Sequence, residues 1–151
     1  MAQHSNDLPS HSNWITAEDF EYFCFNLTRE FLSYKEPIPE YNTRNNALLE
    51  SALASPMHTF DGKSLYPTIP QQAAILFYSM IKNHPFENGN KRIAVMTLLI
   101  FLRFNNKWIR IPNDLLYDLA KGIAASLPKE REKVLQDLND LIKEYMIEQD
   151  S

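Results

Sequence analysis

Two stretches of this chain, Ala73 to Ile81 and Ile93 to Leu102, are apolar on nearly every side. A helix of that kind has no face to offer to water, so each must be wrapped by other elements. Neither run reaches the ~18 apolar residues that a membrane span needs, and both are flanked by charge, so the expected setting is a helical bundle. The segment between them, "NHPFENGNKR" at 83–92, carries a histidine, a glutamate, several asparagines, a glycine and two adjacent cations. A polar loop held between two buried helices has a rigid mount, which is what a functional site needs.

The rest of the chain is built to supply the wrapping. Helical spacing runs through "ITAEDFEYFCFNLTREFLS", where Thr16 is the expected N-cap and Phe20, Phe23, Cys24, Leu27 and Phe31 form the apolar stripe. "NTRNNALLESALAS" reads as a second helix stopped by Pro56, and "PNDLLYDLAKGIAASL" as a fifth, with Pro112 at its start. The sixth, "KEREKVLQDLNDLIKEYMIE", places Val134, Leu135, Leu138, Leu141, Ile142 and Tyr145 on one face. One stretch breaks this rhythm: in "SPMHTFDGKSLYP" the Asp61-Gly62 pair is a two-residue hairpin signal. The expected architecture is therefore a single all-α domain of about six helices with one short hairpin. It should span residues 14–149, with the polar start 1–13 as a flexible segment.

Charge and cysteine content narrow the chemistry. The net charge is −4 with a pI near 5.5, so bulk nucleic-acid binding is not expected. One cysteine, Cys24, allows no internal disulfide and no cysteine-based zinc site, and it falls on an apolar stripe. The first residues lack a charged segment followed by an apolar one, so no secretory signal is expected and a cytoplasmic setting fits.

A positive cluster in an acidic protein then stands out. Lys91 and Arg92 fall in the first turn of the helix after the loop, where the dipole already presents partial positive charge and free N–H groups. Cations there are unfavourable by a few tenths of a kcal/mol up to ~1 kcal/mol, unless an anion fills the gap. Gly89 permits close backbone approach, Asn88 and Asn90 can cap or hydrogen-bond, and Lys91 and Arg92 add charge, which together describe a phosphate cradle. His84 upstream would then serve as acid or base beside the phosphate, with Phe86 as an apolar anchor for the loop. The residues alone equally allow a plainer arrangement, in which Asn88 is an N-cap, the two cations are solvated and His84 bonds a nearby carbonyl.

"HPFENGNKR" resembles the signature of the Fic/Doc superfamily, and the lysine at 91 is similar to its Doc (death-on-curing) branch. "ALLESALASP", "LYP" and "LLIFLRFNN" around it are of the same kind, so the resemblance covers roughly residues 14–125. It implies a Fic-type helical bundle and a nucleotide-dependent transferase acting on a protein hydroxyl. His84 would be the catalytic base, Asn88 the Mg²⁺ ligand, and Gly89, Asn90, Lys91 and Arg92 the hole for the phosphates of ATP or another nucleoside triphosphate. The hairpin residues Thr59, Phe60, Asp61, Gly62, Lys63, Ser64 and Leu65 would form the flap that aligns the target segment by strand-like pairing.

Doc-branch proteins are toxins that phosphorylate a translation factor, whereas most Fic enzymes transfer AMP to a serine, threonine or tyrosine hydroxyl. Lys91, and Val95 where the adenylylating pattern has a second arginine, favour phosphate transfer over AMP transfer. Asn88 stands where a carboxylate is commonest, so a catalytically impaired binding protein on the same fold is the remaining alternative. The inhibitory-helix pattern of many Fic proteins fails at "SLPKER", where Arg131 follows Glu130. The resemblance therefore implies a separate antitoxin protein as partner, beside the target protein.

Overall fold

The computed structural model describes residues 13–31 and 37–149. Most of the expected flexible segment 1–13 lies outside them. Asn13 is described, and it is tied to the far end of the buried core. Its backbone N–H donates to Asn105 Oδ1 (2.7 Å), and its side-chain amide donates to the Phe104 carbonyl (2.7 Å).

The regular elements of the described chain are six helices, three short 3-10 turns and two small antiparallel strand pairs. Helix α1 is composite, with α-helical Ala17–Asp19 and Asn26–Phe31 enclosing a π-helical Phe20–Phe25. Helices α2 (Asn46–Ala54), α3 (Ile69–Asn83), α4 (Asn90–Phe104), α5 (Asn113–Ala125) and α6 (Arg131–Tyr145) follow. The α3–α4 pair is the centre: α2, α5 and α6 pack on α3, while α1 and α5 pack on α4. The two runs without a polar face are thus the buried ones, with Phe77, Ile93, Ala94 and Leu102 fully enclosed.

Local chemistry explains where these helices begin. Thr16 Oγ1 accepts from the Asp19 amide (3.1 Å) and the Asp19 carboxylate accepts from the Thr16 amide (3.2 Å), a capping box. Asn45 Oδ1 caps α2 through the Leu48 amide (3.1 Å), so that helix opens at Asn46, later than the periodic pattern suggested. Thr68 and Gln71 form a second capping box at α3, with Pro70 in the first turn where a missing N–H costs nothing.

The π-helical turn overturns part of the expected apolar stripe. A wider turn rotates everything after it about the axis. Phe20, Cys24, Phe25 and Thr28 therefore point inward, while Phe31, expected on the stripe, is 60% exposed. Thr28 satisfies its buried hydroxyl by donating to the Cys24 carbonyl (2.6 Å). Burial pushes the Cys24 thiol up to about 12, so it is a neutral core residue.

Strand β1 (Thr59–Phe60) pairs antiparallel with β2 (Lys63–Ser64) around Asp61 (φ 54) and Gly62 (φ 77). Positive φ at both turn residues is what a twisted two-residue hairpin demands, and the aspartate-glycine pair tolerates it. A second pairing lay outside the expectation. Strand β3 (Lys107–Ile109) pairs antiparallel with β4 (Met146–Glu148), with Trp108 opposite Ile147. The last helix accordingly ends at Tyr145 rather than running to Glu148, because the backbone of 146–148 is taken up by the ladder. No helix among the described residues is long and apolar enough to cross a membrane.

Candidate active site

Helix α3 stops at His84, which adopts a left-handed conformation (φ 51, ψ 57) and caps the helix. A non-glycine residue there costs on the order of 1–2 kcal/mol, so neighbouring contacts must hold it. Two do so: the Asn83 side-chain amide donates to the Leu48 carbonyl (2.9 Å), and the Asn45 amide donates to the Pro85 carbonyl (2.8 Å). Both partners belong to the start of α2, so that helix braces the turn carrying the imidazole. His84 itself is exposed, while Pro85 and Phe86 are buried.

Phe86 drives the loop inward. Its ring lies 5.1 Å from Phe25, 6.2 Å from Tyr41 and 6.3 Å from Phe20, centroid to centroid. The Asn90 side chain then closes the loop over it, accepting from the Phe86 amide (3.0 Å) and donating to the Phe86 carbonyl (2.7 Å). That amide is buried, with its oxygen and one of its two N–H groups engaged by the Phe86 backbone. Asn90 is thus first a clamp on the loop, and its backbone N–H is one of those that open α4.

Gly89 is the N-cap of α4, at φ 79 and ψ 8. A Cβ placed on it would sit 2.3 Å from Ile38 Cδ1, so the left-handed backbone favours glycine and any side chain there must also push aside the end of Ile38. Gly89→Ala is expected to cost about 1–3 kcal/mol, the αL penalty plus displacement of Ile38. Chemical denaturation measures this, and a loss under about 0.5 kcal/mol would mean that Ile38 yields freely and the turn is unstrained.

The turn opening α4 faces a small recess of about 80 Å³ lined by His84, Glu87, Asn88, Gly89, Asn90, Lys91, Arg92 and Tyr117. Its lining is overwhelmingly polar in kind. The backbone amides of Asn90, Lys91 and Arg92 precede the first intrahelical bond, made by the Ile93 amide to the Gly89 carbonyl (2.9 Å). Amide groups, the positive end of the helix and two cationic side chains converge on the same space as an imidazole. The arrangement suits an oxyanion, with a proton acceptor at its edge.

Two lining residues fall outside the site assigned from the sequence: Glu87, set aside there because neighbouring side chains diverge, and Tyr117, which was not considered. Glu87 lines the recess beside Asn88, although adjacent side chains in a loop are not expected to converge. Tyr117 comes from α5, and its ring face lies 5.5 Å from Arg92 Cζ. Nothing in the pattern of α5 marks it, since it sits one residue past the buried Leu116.

Thr59 through Leu65 are all exposed, and none lines the space around His84. Leu65 instead borders a separate cavity of about 390 Å³ between the hairpin's end, α3 and α6, shared with Tyr66, Gln71 and Arg131.

No cluster of three or more histidine, cysteine, aspartate or glutamate side chains among the described residues is placed to hold a metal. The lining of the recess includes Glu87 and Asn88 as oxygen-bearing side chains. Its donor set, the Asn88 amide and the Glu87 carboxylate, fits Mg²⁺ brought in on phosphates, the usual mode for that ion.

The chain is a helical domain of the Fic/DOC family, whose model matches residues 14–102. Members are transferases that act on proteins and use nucleoside triphosphates. The chain is similar to Toxin Doc of Mycolicibacterium smegmatis, 33% identical over 84 residues. That alignment takes in 56% of this chain and 63% of the relative, so the likeness spans less than two thirds of the curated protein. No solved structure matches the chain.

Proposed function

We propose that this protein is a Doc-like toxin that transfers the γ-phosphoryl group of ATP to a hydroxyl on a target protein, in an assembly where an antitoxin protein restrains it. The single observation that carries this reading is the shared recess of His84 and the first turn of α4. In it the His84 imidazole takes the proton of the incoming hydroxyl. The α4 amides with Lys91 and Arg92 hold the phosphate oxygens and offset the charge that builds on them. Glu87 and Asn88 would hold Mg²⁺, which supplies charge neutralisation on the phosphates when bound.

Phosphate transfer is favoured over AMP transfer by two positions. Val95 is buried in the core at 4% exposure, so α4 offers no second arginine there, and Lys91 stands in the half-buried first turn. Incubating the protein with ATP, Mg²⁺ and a bacterial translation-factor preparation, followed by intact-mass analysis, tests the reading. One phosphoryl increment on a target supports it. An adenylyl increment transfers the same site to the AMP reaction, and no increment on any protein overturns it.

Asn88 sharpens the metal question. A carboxylate binds a hard cation better than an amide does. Asn88→Asp is therefore expected to lower the Mg²⁺ concentration for half-maximal ATP binding, by roughly three- to tenfold. Titration calorimetry at fixed ATP reads this directly, and an unchanged Mg²⁺ midpoint would remove Asn88 from the metal site.

A further inference from the structure

A guanidinium in the first turn of a helix has many rotamers within reach, and only some aim at the recess. Arg92 Cζ lies 5.5 Å from the Tyr117 ring centroid, inside the ~6 Å range of a cation–π contact. Tyr117 is half-buried, belongs to α5 and lines the same recess as His84. One turn later on α5, Lys121 places its Nζ 5.2 Å from the same centroid, while its ammonium also pairs with the Asp118 carboxylate (3.2 Å). Two cations therefore share one ring. Of the two, Arg92 is the one that lines the recess beside the α4 turn.

We propose that Tyr117 is a nucleotide-positioning residue: the face of its ring holds the Arg92 guanidinium toward the α4 turn, which makes α5 a working wall of the site. This rests on the reading that the recess receives nucleotide phosphates. The physical gain is preorganisation. Ordering a long cationic side chain when a ligand arrives costs rotamer entropy, and a side chain already ordered against a ring escapes that cost. The role belongs to the aromatic face, not to the hydroxyl.

The substitutions that follow separate these roles. Tyr117→Leu removes the ring and should weaken Mg²⁺-ATP binding about three- to tenfold, the range of a part-exposed cation–π contact. Tyr117→Phe keeps the ring and should bind as the unmodified protein does. Because the effect acts through Arg92, Tyr117→Leu should add nothing to the loss already caused by Arg92→Gln, a non-additivity that general loosening of the fold would not produce.

Titration calorimetry with Mg²⁺-ATP on these four proteins and the double variant, each checked for an unchanged melting transition, decides the matter. Tyr117→Gln replaces the leucine variant should that one not fold. Equal binding by the unmodified protein and Tyr117→Leu overturns the proposal. So does an equal loss in Tyr117→Phe, which would assign the effect to the hydroxyl, and so does a leucine effect that persists in the Arg92→Gln background. Failure of the unmodified protein to bind Mg²⁺-ATP at all overturns the nucleotide reading itself, a result distinguishable from the other three.

Discussion

Phe86→Ala is expected to destabilise the protein by about 3–5 kcal/mol, the range for deleting a buried aromatic ring. Whole domains are stable by only about 5–15 kcal/mol, so this one truncation removes a large share of the total. The ring is enclosed by Phe20, Phe25 and Tyr41, which come from α1 and the segment before α2. Neither side is free to collapse into the gap without moving a helix, so the loss should approach the upper end. The contacts around the loop add a second expectation. Asn90 grips the Phe86 backbone rather than its ring, so the loop should keep part of its shape in the folded fraction. Urea denaturation measures the change. Phe60→Ala is the control, because that ring is 75% exposed on the hairpin and its removal should shift stability by no more than about 0.5 kcal/mol. A Phe86→Ala cost below about 1 kcal/mol would mean that the loop is not anchored by its ring.

His84→Ala should have the opposite signature, with stability nearly unchanged and transfer lost. The imidazole is exposed, so its removal leaves no cavity. Alanine in a left-handed turn is no better placed than histidine, and the brace from Asn45 and Asn83 remains. If His84 is the group that receives the hydroxyl proton, losing it should slow transfer about 10²–10⁴-fold, the usual contribution of a positioned base. ATP binding should persist, since the proposed phosphate contacts come from α4 and not from the imidazole. Transfer rates with a labelled triphosphate, set beside calorimetric ATP affinity, separate the two effects. Transfer that survives within a few-fold would remove the imidazole from the chemistry even though the recess still holds it.

Much of this was legible beforehand, for reasons that can be stated residue by residue. The runs 73–81 and 93–102 have no polar face, and such helices have only one place to go. Asp61-Gly62 and Gly89 are local backbone instructions, readable without knowing what surrounds them, and each adopts positive φ in the structure. The rest depended on contacts far apart in the chain. A three-residue strand has too few positions to show a period of two, so β3 and β4 carry no signal until they meet across some forty residues. Tyr117 enters the recess because α5 packs on α4, a fact about tertiary packing and not about its own helix. Asn90 looked like a phosphate contact, yet its side chain turns back to the Phe86 backbone, since a buried amide must find partners where it lies. The π-helical turn in α1 moved Phe31 outward, and periodicity that assumes one pitch does not register a change of pitch.

The two bonds that join the start of α2 to Asn83 and Pro85 have a mechanical reach. Helix α2 leads within a few residues into the exposed hairpin, so the hairpin and the turn bearing the imidazole are spliced to one strut. A displacement of the hairpin that carried α2 with it would act first on Asn83 and Pro85, the residues on either side of His84.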